Sequence, residues 1–213
     1  MIVTCWSTKG GSGTTLVACG LALVLGARAP GGSLLIDLCG DVPDTLQCAP
    51  ASGDGLDTWL AQPGADLADL HALEQRISER VSIVPAGAPT LGSGAALAVV
   101  LATETRPVVV DAGRLAVGPG YDLAAGSTHS ILVLRSCFVA LRRATLATLR
   151  PSGVVLVYEP GRTMRARHVE AALGVPVVAT IANSPAIAHA ADAGLLESRV
   201  PSALLRPLAK VAA

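Results

Sequence analysis

Along the chain, short runs of apolar and β-branched residues alternate with longer stretches rich in Ala and Leu. The short runs fall at 2–6, 33–37, 81–85, 108–111, 131–135, 154–158 and 177–181, and most are solid rather than alternating. Strands buried on both faces read this way, which predicts a parallel sheet covered by helices. Helices are predicted at 14–28, 55–62, 67–80, 94–104, 138–150, 163–173, 185–193 and 201–211. Strand and helix alternating at this spacing form right-handed βαβ units. The predicted fold is therefore α/β, a doubly wound, mostly parallel sheet flanked by helices. No internal repeat, low-complexity linker or composition break divides residues 1–213, so a single domain is expected.

Composition sharpens this picture in three places. Apolar residues make up 51% of the chain and aromatics only 2%, so disorder is excluded and the core must be Leu, Val, Ile and Ala. Bases and acids balance at 16 each, which removes any global argument for nucleic acid or an anionic membrane. Their distribution is uneven: residues 37–74 hold eight acids and no Lys or Arg, whereas 135–167 hold seven Arg and one acid, Glu159. Cys5, Cys19, Cys39, Cys48 and Cys137 show neither zinc-ligand nor disulfide spacing, which fits a reducing compartment. No basic n-region precedes the first strand, and the longest apolar stretch, 16–27, is about half a membrane span. A cytoplasmic location is the expectation.

The chemistry begins where the first strand meets a glycine cluster, Ser7-Thr8-Lys9-Gly10-Gly11-Ser12-Gly13-Thr14-Thr15, and the cluster opens an apolar helix. Glycines at 10, 11 and 13 permit backbone conformations closed to other residues and bring amide N–H groups close to an anion. The helix N-terminus adds its free N–H groups and the positive end of its dipole. Thr15 stands where a hydroxyl would ligate Mg²⁺ beside bound phosphates. The ordinary phosphate loop, G-x-x-x-x-G-K-[ST], is not met, because Thr14 occupies the lysine position and the base sits earlier, at Lys9. Only Lys9 and Lys210 of the sixteen bases are lysine, which makes a lysine in this loop unlike chance filler. The competing reading is a glycine-rich turn that merely links strand to helix.

Lys9-Gly10-Gly11-Ser12-Gly13-Thr14-Thr15 resembles the deviant Walker A loop, K-G-G-x-G-K-[ST], of the MinD/ParA ATPases. Leu34-Leu35-Ile36-Asp37 is similar to that family's second strand, and Val108-Val109-Val110-Asp111 to its Walker B strand. The run from Gly55-Leu56-Asp57-Thr58-Trp59-Leu60 to Val84-Pro85-Ala86-Gly87 resembles its G-L-x-x-x-L and L-P-A-G signposts. Residues 174–195 are similar to a stretch near its C-terminus. Loss of the loop lysine is most like the TadZ/CpaE branch, which places pilus machinery and is linked to septum-site control. The resemblance implies ATP and Mg²⁺ as cofactors, a homodimer around nucleotide, and protein partners in pilus or division machinery. It also implies the site: Lys9, Gly10, Gly11, Ser12, Gly13, Thr14 and Thr15 on the phosphates, Thr15 and Asp111 on Mg²⁺ (Asp111 through water), and Asp37 orienting water. Lys9 is similar to a lysine that crosses the dimer interface to the partner's nucleotide.

Asp41 and Asp44 follow in a flexible stretch suited to a nucleotide-sensing switch, or are simply solvated. Asp111 has a structural capping role as its alternative. Without Lys at 14, hydrolysis loses one cation near the transferring phosphoryl group, typically worth about 2–4 kcal/mol or 10²–10³ in rate. Weak ATP hydrolysis is therefore one expectation, and a non-hydrolysing scaffold the other. The family's adenine-reading Asn after a late strand has no counterpart at Val157-Tyr158-Glu159-Pro160. A third reading, a DNA-associated partition ATPase, rests on Arg142, Arg143, Arg150, Arg162, Arg165 and Arg167, with Arg143 and Arg150 sharing a helix face and Arg162 and Arg165 another. No aromatic residues interleave with them, so a solvated basic face is preferred. The tail around Pro207 lacks aromatics and is expected to pack on the domain rather than on a membrane. The four His lie apart from one another and from any Cys, so no metal site other than Mg²⁺ is expected.

Overall fold

In a computed structural model that describes residues 1–48, 54–88, 92–196 and 199–211, strand and helix alternate from the first residues onward. The order is β1 (Ile2–Ser7), α1 (Thr14–Arg28), β2 (Ser33–Asp37), α2 (Val42–Leu46), α3 (Leu56–Ala61), α4 (Leu67–Ala72), β3 (Gln75–Arg76) and β4 (Val81–Val84). It continues with α5 (Ala95–Leu101), β5 (Val108–Arg114), α6 (Pro119–Gly126), β6 (His129–Arg135), α7 (Phe138–Thr145) and β7 (Gly153–Tyr158). The last elements are α8 (Ala166–Leu173), β8 (Val177–Ala182), α9 (Pro185–Asp192) and α10 (Ser202–Leu208). The strands form one sheet in the order β3-β4-β2-β5-β1-β6-β7-β8, parallel throughout except for β3 against β4. This is the doubly wound α/β architecture that the solid apolar runs predict.

The solid runs are explained by burial on both faces. Along β1, Val3 and Cys5 pack with α1, α9 and α10, while Ile2 and Trp6 belong to clusters on the opposite face with α3, α5, α6 and α7. With two Trp and one Phe in the chain, these clusters are built almost wholly of aliphatic residues. The C-terminal α10 lies on α1, and Gly20 makes that approach close: a Cβ there would stand 2.6 Å from Leu208 Cδ1. The tail thus packs on the domain, with Leu204 and Leu208 buried. Among the described residues no helix is long and apolar enough to cross a membrane.

Three expectations need correction. The helix expected over 67–80 stops at Ala72, and Gln75 and Arg76 pair instead with Ile83 and Ser82 at the sheet edge. Asp66 starts this helix through a capping box with Asp69. After it, Glu74 leaves the helix direction for Arg106, whose guanidinium also holds Glu104, a side chain 3% exposed that accepts His71 as well. The helix expected over 138–150 ends at Thr145, whose hydroxyl donates back to the Arg142 carbonyl at 2.8 Å. Arg150 precedes Pro151, which disfavours helical backbone there. Finally, the flexible stretch after β2 contains α2, a helix too short to leave a periodic signature, and α6 was not predicted either.

The two signposts distant in sequence meet in space. The amides of Leu56 and Asp57 donate to the carbonyls of Pro85 (2.8 Å) and Ala86 (3.1 Å). A Cβ on Gly55 would collide with the Gly87 backbone, and one on Gly87 (φ +72°) with the Asp57 carboxylate. This close approach ties the segment after α2 to the end of β4, beside the carboxyl edge of the sheet.

Candidate functional site

At that edge β1 ends between β5 and β6, and its continuation curls into a loop held from within by its side chains. The Ser7 hydroxyl contacts the carbonyls of Lys9 and Gly113, each at 3.1 Å, and the Ser12 hydroxyl donates to Lys9 O at 2.7 Å. Gly11 (φ +72°) and Gly13 (φ +86°) take left-handed backbone that turns successive amides the same way. The first bond of α1 runs from Val17 N to Gly13 O. Among the described residues no amide from Gly10 to Leu16 donates to a protein acceptor. Two hydroxyls thus fix the loop by its carbonyl side and leave a run of N–H groups at the start of a fifteen-residue helix.

The carboxylates of β2 and β5 stand beside this loop, at register partners Asp37 and Asp111. Both are fully buried. Asp37 Oδ1 accepts the amides of Cys39 and Gly40, each at 2.9 Å, and Oδ2 accepts Val42 N at 3.2 Å. Burial pushes its pKa up, and these three amides hold it back. Asp111 Oδ1 accepts Gly113 N at 3.0 Å, whereas its Oδ2 is buried with no partner. Burial raises Asp111 to about 6, opposed by the Thr15 hydroxyl and reinforced by the charge of Asp37. An orphaned carboxylate oxygen beside a threonine hydroxyl, in a pocket of acids, has the donor chemistry a divalent ion satisfies. Residues Thr15 and Asp111 therefore fit the Mg²⁺ that the resemblance implies.

The remaining expected residues divide. Thr14 is buried, 6% exposed, at the first position of α1, where its neutral side chain supplies no cation. Lys9 is half-buried and donates from Nζ to Gly10 O at 3.3 Å, a carbonyl of its own loop, and it does not line the groove along Gly10–Leu16. Asp41 sits at the N-cap of α2 with no side-chain cap bond, and Asp44 is exposed in the first turn. Both line the groove that runs along Gly10–Leu16 together with Cys39, Gly113 and Arg114. Burial and the charges of Asp111, Asp37 and Asp41 push the Cys39 thiol well above the ordinary range.

Residues not singled out by the sequence also gather here. Arg135 at the end of β6 pairs with Glu159, which also binds Arg162, and reaches Gly11 O at 3.3 Å. Behind the loop, Gly11, Gly13, Arg135, Val157, Ile181, Asn183 and Ile187 line an adjoining pocket. Asn183 follows β8 in Ala182-Asn183-Ser184-Pro185, a turn signature that separates strand from helix and could have drawn notice. Its backbone amide donates to Tyr158 O at 2.7 Å, and its side chain is exposed at the pocket. An amide side chain at the mouth of an apolar pocket beside a phosphate loop can read the edge of a base.

The paired arginine faces do not form. Arg143 lies on α7, but Arg150 lies beyond its end and donates to Gly174 O at 2.9 Å. Arg162 precedes α8, and Arg165 is that helix's N-cap, stacked 4.9 Å from the Tyr158 ring. Arg142 and Arg143 remain exposed on α7, beside exposed Phe138 and Val139.

The fold is that of the MinD/ParA-type P-loop NTPases. The chain is similar to a ParA family ATPase from Chlorobium tepidum (20% identity, TM-score 0.79, covering 99% of this chain and 96% of that one). It is also similar to the septum site-determining protein MinD of Pyrococcus horikoshii, complexed with Mg-ADP (20%, 0.76, 99% and 93%). A third likeness is to a putative plasmid partition protein of Borrelia burgdorferi bound to AMPPNP (14%, 0.71, 99% and 96%). No protein-family model and no curated protein sequence matches the chain.

Proposed function

We propose that residues 1–213 form one nucleotide-binding unit that takes up ATP with Mg²⁺, dimerises around it and acts as a cytoplasmic positional switch. The observation that carries this reading is the run of amides from Gly10 to Leu16 with no protein acceptor, along a groove also lined by Cys39, Asp41 and Gly113, with the buried Asp111 Oδ2 left without a partner. Those amides would hold the phosphates, and Thr15 and Asp111 the ion. Asp37 would orient water: a carboxylate has about four acceptor sites, and three are occupied by its own loop. Asn183 would read the base.

Charge placement supports the dimer. The β2 side of the loop carries Asp41 and Asp44, and the β6 side carries Arg142 and Arg143. A two-fold axis through the phosphate loop would set the acidic side of one copy against the basic side of the other and bring Lys9 toward the partner's site. Resemblance to the TadZ/CpaE branch supports placement of pilus or division machinery as the setting.

Thr14 favours a second reading, a scaffold that binds nucleotide without turning it over. Calorimetry with Mg²⁺·ATP tests binding: absence of heat at millimolar ligand removes both readings. Thr14→Lys separates them. A rise in phosphate release of about 10²–10³ identifies a tuned-down ATPase, and no change identifies the scaffold.

A further inference from the structure

We propose that Asp37, Cys39 and Asp111 form a binding site for a thiophilic divalent cation of the Zn²⁺ class, with the Cys39 thiolate as a ligand, when no nucleotide is bound. The inference deepens the preceding reading, since it rests on Asp111 facing a divalent ion and names a second kind of ion for that place. One ligand atom from each of the three residues lies within 4.8 Å of the other two. Asp111 Oδ2 is buried and unpartnered, so the cluster contains an acceptor that the protein itself leaves unsatisfied. None of the ion pairs among the described residues involves Asp37, Asp41 or Asp111.

The thiol is positioned rather than free to turn. Cys39 N is bound to Asp37 Oδ1, and Sγ lies 3.7 Å from the Asp111 carbonyl oxygen. Sγ also rests over Gly113 (φ +52°), where any Cβ would collide with it. Zinc takes thiolate sulfur at about 2.3 Å and carboxylate oxygen at about 2.0–2.2 Å in tetrahedral sites, so the three atoms would draw together by about 1 Å. Mg²⁺ selects oxygen ligands in octahedral geometry and gains nothing from the sulfur. With three protein ligands, the fourth position stays open toward the groove lined by the phosphate loop. The other acid–imidazole cluster, His71, Glu74 and Glu104, offers no such place, because Arg106 already binds both carboxylates.

The test uses the full chain, reduced and free of nucleotide. Titration with Co²⁺ should give a thiolate-to-cobalt charge-transfer band that saturates near one equivalent and is abolished by added Zn²⁺. Cys39→Ser should remove the band and weaken Co²⁺ binding by at least about tenfold, while Cys48→Ser leaves it in place. In the unmodified protein, Zn²⁺ should protect Cys39 from alkylation, mapped by mass spectrometry, and Mg²⁺ should not. A missing band at millimolar Co²⁺, a band that survives Cys39→Ser, or alkylation of Cys39 unaffected by Zn²⁺ overturns the proposal. Calorimetry with Mg²⁺·ATP is a separate measurement, so the thiolate site can fail while nucleotide binding stands.

Discussion

Asp111→Asn should make the ligand-free protein more stable and at the same time remove its response to Mg²⁺·ATP. The Asp111 carboxylate is fully buried, with one oxygen orphaned. Burial moves it from an ordinary value of about 3.9 to about 6. Each tenfold step is worth about 1.4 kcal/mol, so the ionised group destabilises the fold by on the order of 3 kcal/mol at pH 7.5. The sign follows from proton counting. Between about pH 4 and pH 6 the folded protein keeps a proton that the unfolded chain has released, so stability falls as pH rises through that window and stays low above it. An amide carries no charge and escapes this penalty. Its NH₂ would lie near the present Oδ2 without an acceptor, which costs about 1–2 kcal/mol.

The net expectation is a gain of about 1–2 kcal/mol, or roughly 2–8 °C in Tm for a chain of this size. Thermal unfolding at pH 7.5 and pH 4 checks it, and at the lower pH the advantage should vanish. Mg²⁺·ATP at about 100 times its Kd should add about 2.7 kcal/mol to the unsubstituted protein and little to the variant, reversing their order. A ligand-free variant less stable at pH 7.5, or equal shifts with Mg²⁺·ATP, would refute the reasoning.

Asn183→Ala should weaken ATP by about tenfold with little effect on GTP, measured by calorimetry; equal losses for both nucleotides would mean the side chain does not read the base. Reversing charge with Arg142→Glu and Arg143→Glu should shift the Mg²⁺·ATP-bound protein toward monomer in sedimentation, and Asp41→Lys with Asp44→Lys in the same chain should restore the dimer. A dimer indifferent to both changes would show that the two flanks do not meet. Glu104→Ala should cost about 1–2 kcal/mol in denaturant unfolding, because Arg106 and His71 lose this buried carboxylate while Glu74 still pairs with Arg106. Arg106 holds Glu104 down at about 2, against its own burial, so its contribution is complete above about pH 4.3 and is lost as pH falls toward 2; an acid transition unchanged by the substitution would contradict this.

The sheet was legible because its signal is local. A strand buried on both faces must be apolar throughout, so β1, β2 and β5 declare themselves in a few residues. The glycine loop between β1 and α1 was legible for a related reason: strand, glycines and helix are contiguous, so spacing alone fixes their mutual placement. What stayed hidden depends on contacts between distant segments. The break after α4 is made by Glu74 turning to Arg106, some thirty residues on, and no pattern within 67–80 records it. Asn183 reaches the pocket only because β8 follows β6 and β7 on one side of β1 in a sheet whose order the sequence does not state. Cys39 reads as a stray thiol until Gly113 is seen beneath it.

The cations around the loop bear on how binding and dimerisation are coupled. Thr14 is neutral, Lys9 is bound to the loop carbonyl Gly10 O, and Arg135 is committed to Glu159 and to the carbonyl face of the loop at Gly11. On the reading proposed above, a single copy would face a triphosphate with amides, a helix dipole and a bound ion, but without a lysine in its own nest. Charge-assisted hydrogen bonds are about twice as strong as neutral ones, so a cation delivered from a second copy would add more here than in a loop that already holds one. That differential is what links a ligand to an association equilibrium. On the proposed reading, Thr14 in place of a loop lysine would lower turnover and raise the share of nucleotide affinity that depends on the partner, so the residue that weakens an enzyme would strengthen a switch.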